Sequence, residues 1–264
     1  TENFETAMSY LKDNVVYSVT KDKQTKLYMA SVNDTIELQD LQEVKEMTAL
    51  GIYGTFGYDE KLNKIYFSKY DRATKNYMLF ESTLKDGKWS RPKKLKIIGM
   101  GGYRKPGSTL VNAGWLYRAP GISGFFNPTL ANNGSRIYFT SEFPSGKGEK
   151  DIWYIDAADK KQWNMPKNVG DVVNTVGKED YAFVSGDSLL YFASTTASNG
   201  GYDLFVSQKE NGAWSKATPL DSVYNSSVND YNLIGNKDGL FFISSRNTGN
   251  LDDIYRPSKM LIKE

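Results

Sequence analysis

Apolar positions in this chain come in short runs rather than at helical spacing. One phrase returns: an apolar or β-branched residue, then aromatics, then Ser or Thr. It reads "KIYFSK" from Lys64, "RIYFTS" from Arg136, "LLYFAS" from Leu189 and "GLFFIS" from Gly239, with a weaker "VVYSVT" from Val15. The spacing is about 50 residues, with one longer gap before Arg136, and a fixed period of that size marks a propeller or a solenoid. Short β-rich runs divided by turn residues exclude a helical solenoid.

Each phrase sits in a four-part unit. A short apolar strand comes first: "YGTFGY" (Tyr53), "FFNPTL" (Phe125), "YAFVS" (Tyr181) and "YNLIG" (Tyr231). A turn such as "DEKLN", "ANNGS", "SGDS" or "NKDG" follows, rich in residues that accept positive φ. The aromatic phrase is the second strand. The third is "KLYMAS", "YMLFES", "DIWYID", "YDLFVS" or "DDIYR", and Trp89, Trp163 and Trp214 mark a fourth.

The fold class is therefore all-β, a β-propeller of four-stranded antiparallel blades. Five units are expected in one domain spanning 1–264, at about 15–47, 53–96, 125–170, 181–220 and 231–264. The first lacks an evident innermost strand, which residues from the other chain end would complete. A sixth blade stays open if the irregular insertion 97–124 hides a degenerate unit.

Composition narrows the chemistry. The chain has 264 residues, no Cys and no His, which removes Ser-His-Asp triads, Cys-His pairs and Cys/His zinc sites. No metal site is expected, and an added ion would be a hard cation such as Ca²⁺ on oxygen ligands. A net charge of +2 argues against a nucleic-acid surface. No apolar stretch has the length of a membrane span. The N-terminal "TENFETAMSYLKDN" is not a signal peptide, and a leader removed upstream of Thr1 is expected.

Two regions hold candidate binding residues. Glu179, Asp180, Asn229 and Asp230 precede innermost strands and would ring the channel mouth, where they could hold Ca²⁺ or a cationic group. The competing reading is that they cap loop backbone, which their recurrence favours. The insertion carries Tyr103, Arg104, Lys105, Trp115, Tyr117 and Arg118 among Gly and Pro. Aromatic and Arg side chains on a long loop suit a binding surface; alternatively "AGWLYRA" packs into the fold as a strand. Asp252 and Asp253, with Arg246, read as repeat-linked structural residues.

From about Asn127 to Arg256, "LLYFASTTASNGGYDLFVSQKENGAWSKATPL", the linkers "VNTVGKEDY" and "YNSSVNDY", and "FFISSRNTGNLDDIY" resemble the TolB-like, WD-repeat-like propeller repeats of bacterial envelope proteins. Residues before about Asp13 do not match that pattern. The resemblance implies a periplasmic or outer-membrane-associated propeller that is not an enzyme, needs no cofactor and binds an envelope protein, with a glycan or peptide as the other ligand classes. No catalytic motif contradicts it: the chain has no G-x-S-x-G elbow, Walker loop or EF-hand. The alternative is a five-bladed glycosidase using channel-mouth carboxylates, with Glu179, Asp180 and Asp230 as candidates.

Overall fold

The computed structural model describes residues 4–22, 24–32, 38–98, 124–159, 161–196, 201–236, 239–246 and 252–257. They form five antiparallel sheets arranged as a five-bladed β-propeller. Blade 1 holds β1 (Phe4–Leu11), β2 (Asn14–Lys21), β3 (Gln24–Val32) and β4 (Leu38–Glu43). A short helix α1 (Lys45–Leu50) leads to blade 2, with β5 (Tyr53–Asp59), β6 (Lys64–Asp71), β7 (Asn76–Lys85), β8 (Lys88–Trp89) and β9 (Lys93–Lys94). Blade 3 is β10 (Phe126–Ala131), β11 (Arg136–Ser141), β12 (Asp151–Asp156) and β13 (Lys167–Asn168). Blade 4 is β14 (Glu179–Ser185), β15 (Leu189–Ser194), β16 (Asp203–Glu210), β17 (Ala213–Trp214) and β18 (Thr218–Pro219). Blade 5 has three strands among the described residues: β19 (Asp230–Asn236), β20 (Gly239–Ser244) and β21 (Asp253–Tyr255). Among the described residues no helix is long and apolar enough to cross a membrane.

The aromatic phrase is the middle of each blade. Phe67, Phe139, Phe192 and Phe242 occupy equivalent places and are each at most 1% exposed. Burying one such ring contributes roughly 1.5–3 kcal/mol. Ile65, Tyr66, Phe67 and Ser68 are buried in succession because both faces of β6 are covered. The turns hold the predicted conformations: Asp86-Gly87 and Asn211-Gly212 have positive φ at both residues, as two-residue hairpins require.

Two expectations need correction. The innermost strand of blade 1 is local: it is β1, just upstream of the first recognised phrase. The fourth strand is split in two blades. β8 and β9 both pair with β7, and β17 and β18 both pair with β16, while Trp163 makes only isolated bridges to Ala157 and Ile97.

Every innermost strand carries a bulge near its start. Its extra residue takes positive φ at Gly54 (73°), Asn127 (46°), Tyr181 (53°) and Asn232 (48°). Side chains at the bulges fasten one blade to the next. Asn232 Oδ1 accepts the Met8 N–H at 2.6 Å and its Nδ2 donates to Met8 O at 3.3 Å, joining the last blade to the first. Phe56 N donates to Ser9 Oγ at 2.9 Å, and Thr55 Oγ1 to Pro128 O at 3.0 Å. Gly54 is required where it stands, since a Cβ there would collide with the Asn127 amide oxygen.

The ring closure is testable at Asn232. Asn232→Ala should cost about 1–3 kcal/mol in urea unfolding, because it leaves the buried Met8 N–H unpaired, and Asn232→Asp should cost at least as much, because it sets a buried carboxylate against Met8 O. No loss in Asn232→Ala would show that the Met8 contact does not hold the ring.

Candidate functional site

Strand register identifies the residue just before each bulge. Tyr53 lies opposite Ser68, Phe126 opposite Thr140, Asp180 opposite Ala193 and Tyr231 opposite Ile243. These four are equivalent positions of blades 2 to 5, at the channel end where innermost strands begin. Three are aromatic and one is an acid; the same register in blade 1 sets Glu5 opposite Val19.

The sequence invites a different alignment, "ED-Tyr181" on "ND-Tyr231". The register sets Glu179 against Asp230, and Asp180 against Tyr231. Asp180 therefore has no acidic counterpart in blades 2, 3 and 5.

Glu179 and Asp230 have the architectural role. Glu179 is fully buried and accepts bonds from Thr175 N (2.8 Å), Thr175 Oγ1 (2.6 Å) and Ser194 Oγ (2.8 Å). Asp230, also fully buried, accepts from Ser226 N (2.6 Å), Ser226 Oγ (2.7 Å) and Arg246 (2.7 Å). The preceding Asn174 and Asn225 each bond both the N–H and the carbonyl of a third-strand residue, Ile152 and Leu204 respectively. Asn229 Oδ1 accepts the Tyr202 N–H at 2.9 Å. Arg246 belongs to this framework, with its guanidinium beside the Phe242 and Tyr255 rings. Among the described residues no group of three or more acidic side chains is placed to hold a metal ion. Tyr103, Arg104, Lys105, Trp115, Tyr117 and Arg118 lie outside the described residues. The flanking Phe125 N donates to Tyr77 O at 3.0 Å, so the insertion re-enters beside the aromatic mouth.

Asp180 is 2% exposed. Its Oδ1 accepts Asn127 Nδ2 at 2.7 Å and the Tyr181 N–H at 2.9 Å, and its Oδ2 pairs with the Lys150 ammonium at 3.1 Å. Aromatic rings surround this group. Tyr181 lies 5.0 Å from Tyr231 and 6.4 Å from Tyr202, while Tyr53 lies 6.2 Å from Phe126 and 4.3 Å from Tyr77. Burial and then the Asp180 charge push the Tyr181 hydroxyl well above the usual phenol range. Burial raises Tyr202 too, with Asp180, Glu179 and Glu149 adding to it. Burial alone would lower Lys150, but Asp180 outweighs it and holds the ammonium above its ordinary value. Tyr181 is also the one bulky side chain at a positive-φ bulge position held by Gly or Asn in blades 2, 3 and 5. A left-handed conformation there stores roughly 1–3 kcal/mol, a cost that clusters at functional sites.

Beside this group opens a cavity of about 510 Å³, lined by Glu142, Glu149, Lys150, Lys178, Thr195, Tyr202 and Asn229. Glu149 pairs with Lys178 at 3.2 Å. The loop between β11 and β12 supplies three of the charged residues and is rigidly held. Asp151 accepts the N–H groups of Lys147 and Gly148, and Glu149 N donates to Gly177 O at 2.9 Å. Sequence reasoning missed Lys150, Glu149, Glu142 and Tyr202. The available signal was the length and charge of "SEFPSGKGEKD" beside the shorter connection "DRATKN" in blade 2. At the other channel end a smaller cavity of about 310 Å³ draws Met8, Thr55, Leu130, Ala182 and Asn232 from the five innermost strands.

No protein-family model matches the chain, and no curated protein matches its sequence. Among solved structures it is similar to the endo-arabinase from Bacteroides thetaiotaomicron, with TM-score 0.58 and 10% identity over 97% of this chain and 94% of that one. It is similar to a putative glycoside hydrolase from Parabacteroides distasonis, with TM-score 0.52 and 12% identity over 98% and 87%. It is also similar to xylan β-1,4-xylosidase from Bacillus halodurans, with TM-score 0.54 and 11% identity over 96% of this chain and 53% of that one. At such identities the likeness shows the fold. The expectation of a non-enzymatic envelope-binding platform is corrected here: the similar structures are an endo-arabinase, a putative glycoside hydrolase and a xylosidase.

The architectural role of Glu179 has a pH signature. Burial, with the Asp151 charge adding to it, pushes its carboxyl above the ordinary carboxylate range in spite of the hydrogen bonds it accepts. The stability this shift contributes is present below that range and is lost as pH rises through the folded value. Glu179→Gln should therefore lose less stability relative to the parent at about pH 7 than at about pH 4, measured by urea unfolding. Equal losses at both values would refute a raised Glu179.

Proposed function

We propose that this propeller is a carbohydrate-active enzyme of the glycoside-hydrolase type, with its site at the channel mouth around Asp180. One observation carries the reading. Among the equivalent mouth positions of blades 2 to 5, a carboxylate stands at one where the other three are aromatic, beside a cavity that holds further carboxylates. Glycoside cleavage ordinarily needs two carboxyl groups flanking the scissile bond, and it needs no His, Cys or metal from the protein. Asp180 is the first carboxylate. Glu149 is the second: it lines the cavity, and the Tyr202 hydroxyl feels both acids.

The roles follow from the surroundings. Asn127 and the Tyr181 N–H fix one oxygen of Asp180, leaving Oδ2 turned toward Lys150 as the working atom. Glu149 is open to the cavity and placed to exchange a proton with a leaving group or a water. The exposed ring of Tyr53, together with Tyr202, offers apolar faces against which a sugar ring can stack while its hydroxyls meet Asn229 and Thr195. Glu179 takes no part in the chemistry, because its oxygens are buried and already bonded. On the repeat resemblance, we place the enzyme in the periplasm or at the outer membrane.

The test is release of reducing ends from a panel of arabinan, xylan and β-1,2-mannan oligosaccharides, the substrate classes of similar propellers. Cleavage of one of them is expected. Asp180→Asn and Glu149→Gln should each lower kcat by about 10²–10⁴-fold, measured on protein that a thermal melt shows to be folded. Full activity in either variant would remove that residue from the site, and no cleavage across neutral glycans would overturn the reading.

A further inference from the structure

The two oxygens of Asp180 are differently employed. Oδ1 is held by two donors on the bulges of blades 3 and 4, Asn127 Nδ2 and the Tyr181 N–H. Oδ2 takes the ammonium of Lys150 at 3.1 Å. Lys150 lines the cavity and Asp180 does not, so the ammonium stands between the cavity and the working oxygen. The backbone of Lys150 is fixed, since Lys150 O accepts the Glu179 N–H at 2.8 Å. Its side chain is a flexible four-carbon stem.

A second anion shares the cavity. Glu142 lies at the opposite end of the same loop and lines the same wall. The cation thus sits on a buried carboxylate, Asp180, with a second carboxylate on the open side of the cavity that Lys150 lines. Withdrawing it into water alone would strand a buried carboxylate oxygen, which is costly. A substrate hydroxyl that donates to Oδ2 as the ammonium leaves offsets part of that cost.

We propose that Lys150 is a gate: its ammonium closes the resting site on Asp180 Oδ2 and transfers to Glu142 when a sugar hydroxyl takes its place. This rests on the glycoside-hydrolase reading of the same mouth. Lys150 and Glu142 are positioning residues here, acting through Asp180.

The gate is tested without activity by the crystal structure of Asp180→Asn. With the buried charge removed, the Lys150 ammonium should be found on Glu142; an ammonium still seated against the substituted side chain would overturn the gate. Calorimetric binding of xylotriose and arabinotriose gives a second arm. Glu142→Gln should weaken binding about tenfold in the parent background and have no effect in the Lys150→Met background. Equal weakening in both would overturn the gate. If neither sugar binds any variant, the loss falls on the glycoside reading. The gate is then decided by the Asp180→Asn structure or, where that variant does not fold, by coupling of the Lys150 and Glu142 substitutions in thermal melts. Additive melts would overturn it.

Discussion

Everything in this propeller depends on how the first and last blades are fastened. The two meet across a sequence separation of 224 residues, where the Asn232 amide bonds both the N–H and the carbonyl of Met8. Neighbouring blades do not share a sheet, so the angle between them is set by side chains and by a few backbone bonds between blades, such as Phe125 N to Tyr77 O and Glu179 N to Lys150 O. The buried clusters lie between blades and supply most of the attraction. They are non-directional, whereas the bulge side chains fix position. Thr55, Asn127 and Asn232 at their bulges, and Ser9 in the regular ladder of β1, each reach into a neighbouring innermost strand. A bulge turns a side chain out of its own ladder, and this is what frees it to bond sideways.

The same device builds the site. Asn127 serves the belt and also anchors Asp180, so the geometry that closes the ring orients the carboxylate. The strained Tyr181 gives its N–H to that carboxylate and its ring to the aromatic surround. Framework and chemistry then divide along the chain at adjacent residues. Glu179 is consumed in holding its linker, while Asp180 keeps one oxygen for Lys150.

Much of the fold was legible because it repeats. The aromatic phrases, the Asn-Gly and Asp-Gly turns and the Asn-Ser/Thr linkers ending in an acid all serve the same local purpose in successive blades. What did not repeat was harder to read. β1 has no aromatic phrase of its own, and its Ala and Ser residues pack small against β2. The fourth strands are only two residues long in each segment, too short for a pattern. Asp180 was among the channel-mouth candidates, but a shift of one residue hid its difference from the others: "KEDY" and "VNDY" look alike, yet the bulge sets Glu179, not Asp180, in register with Asp230. Lys150, Glu149 and Glu142 come from a loop of another blade, and only the folded ring brings them to Asp180.

The central claim is that a sugar chain binds at the mouth between Asp180 and Glu149. The most direct measurement is a crystal structure of the Glu149→Gln variant with a bound neutral oligosaccharide from the panel. The account predicts a sugar ring against Tyr202, with a hydroxyl or the scissile oxygen facing Asp180 Oδ2. Sugar density on another face of the propeller, or an empty mouth at saturating oligosaccharide, would contradict it.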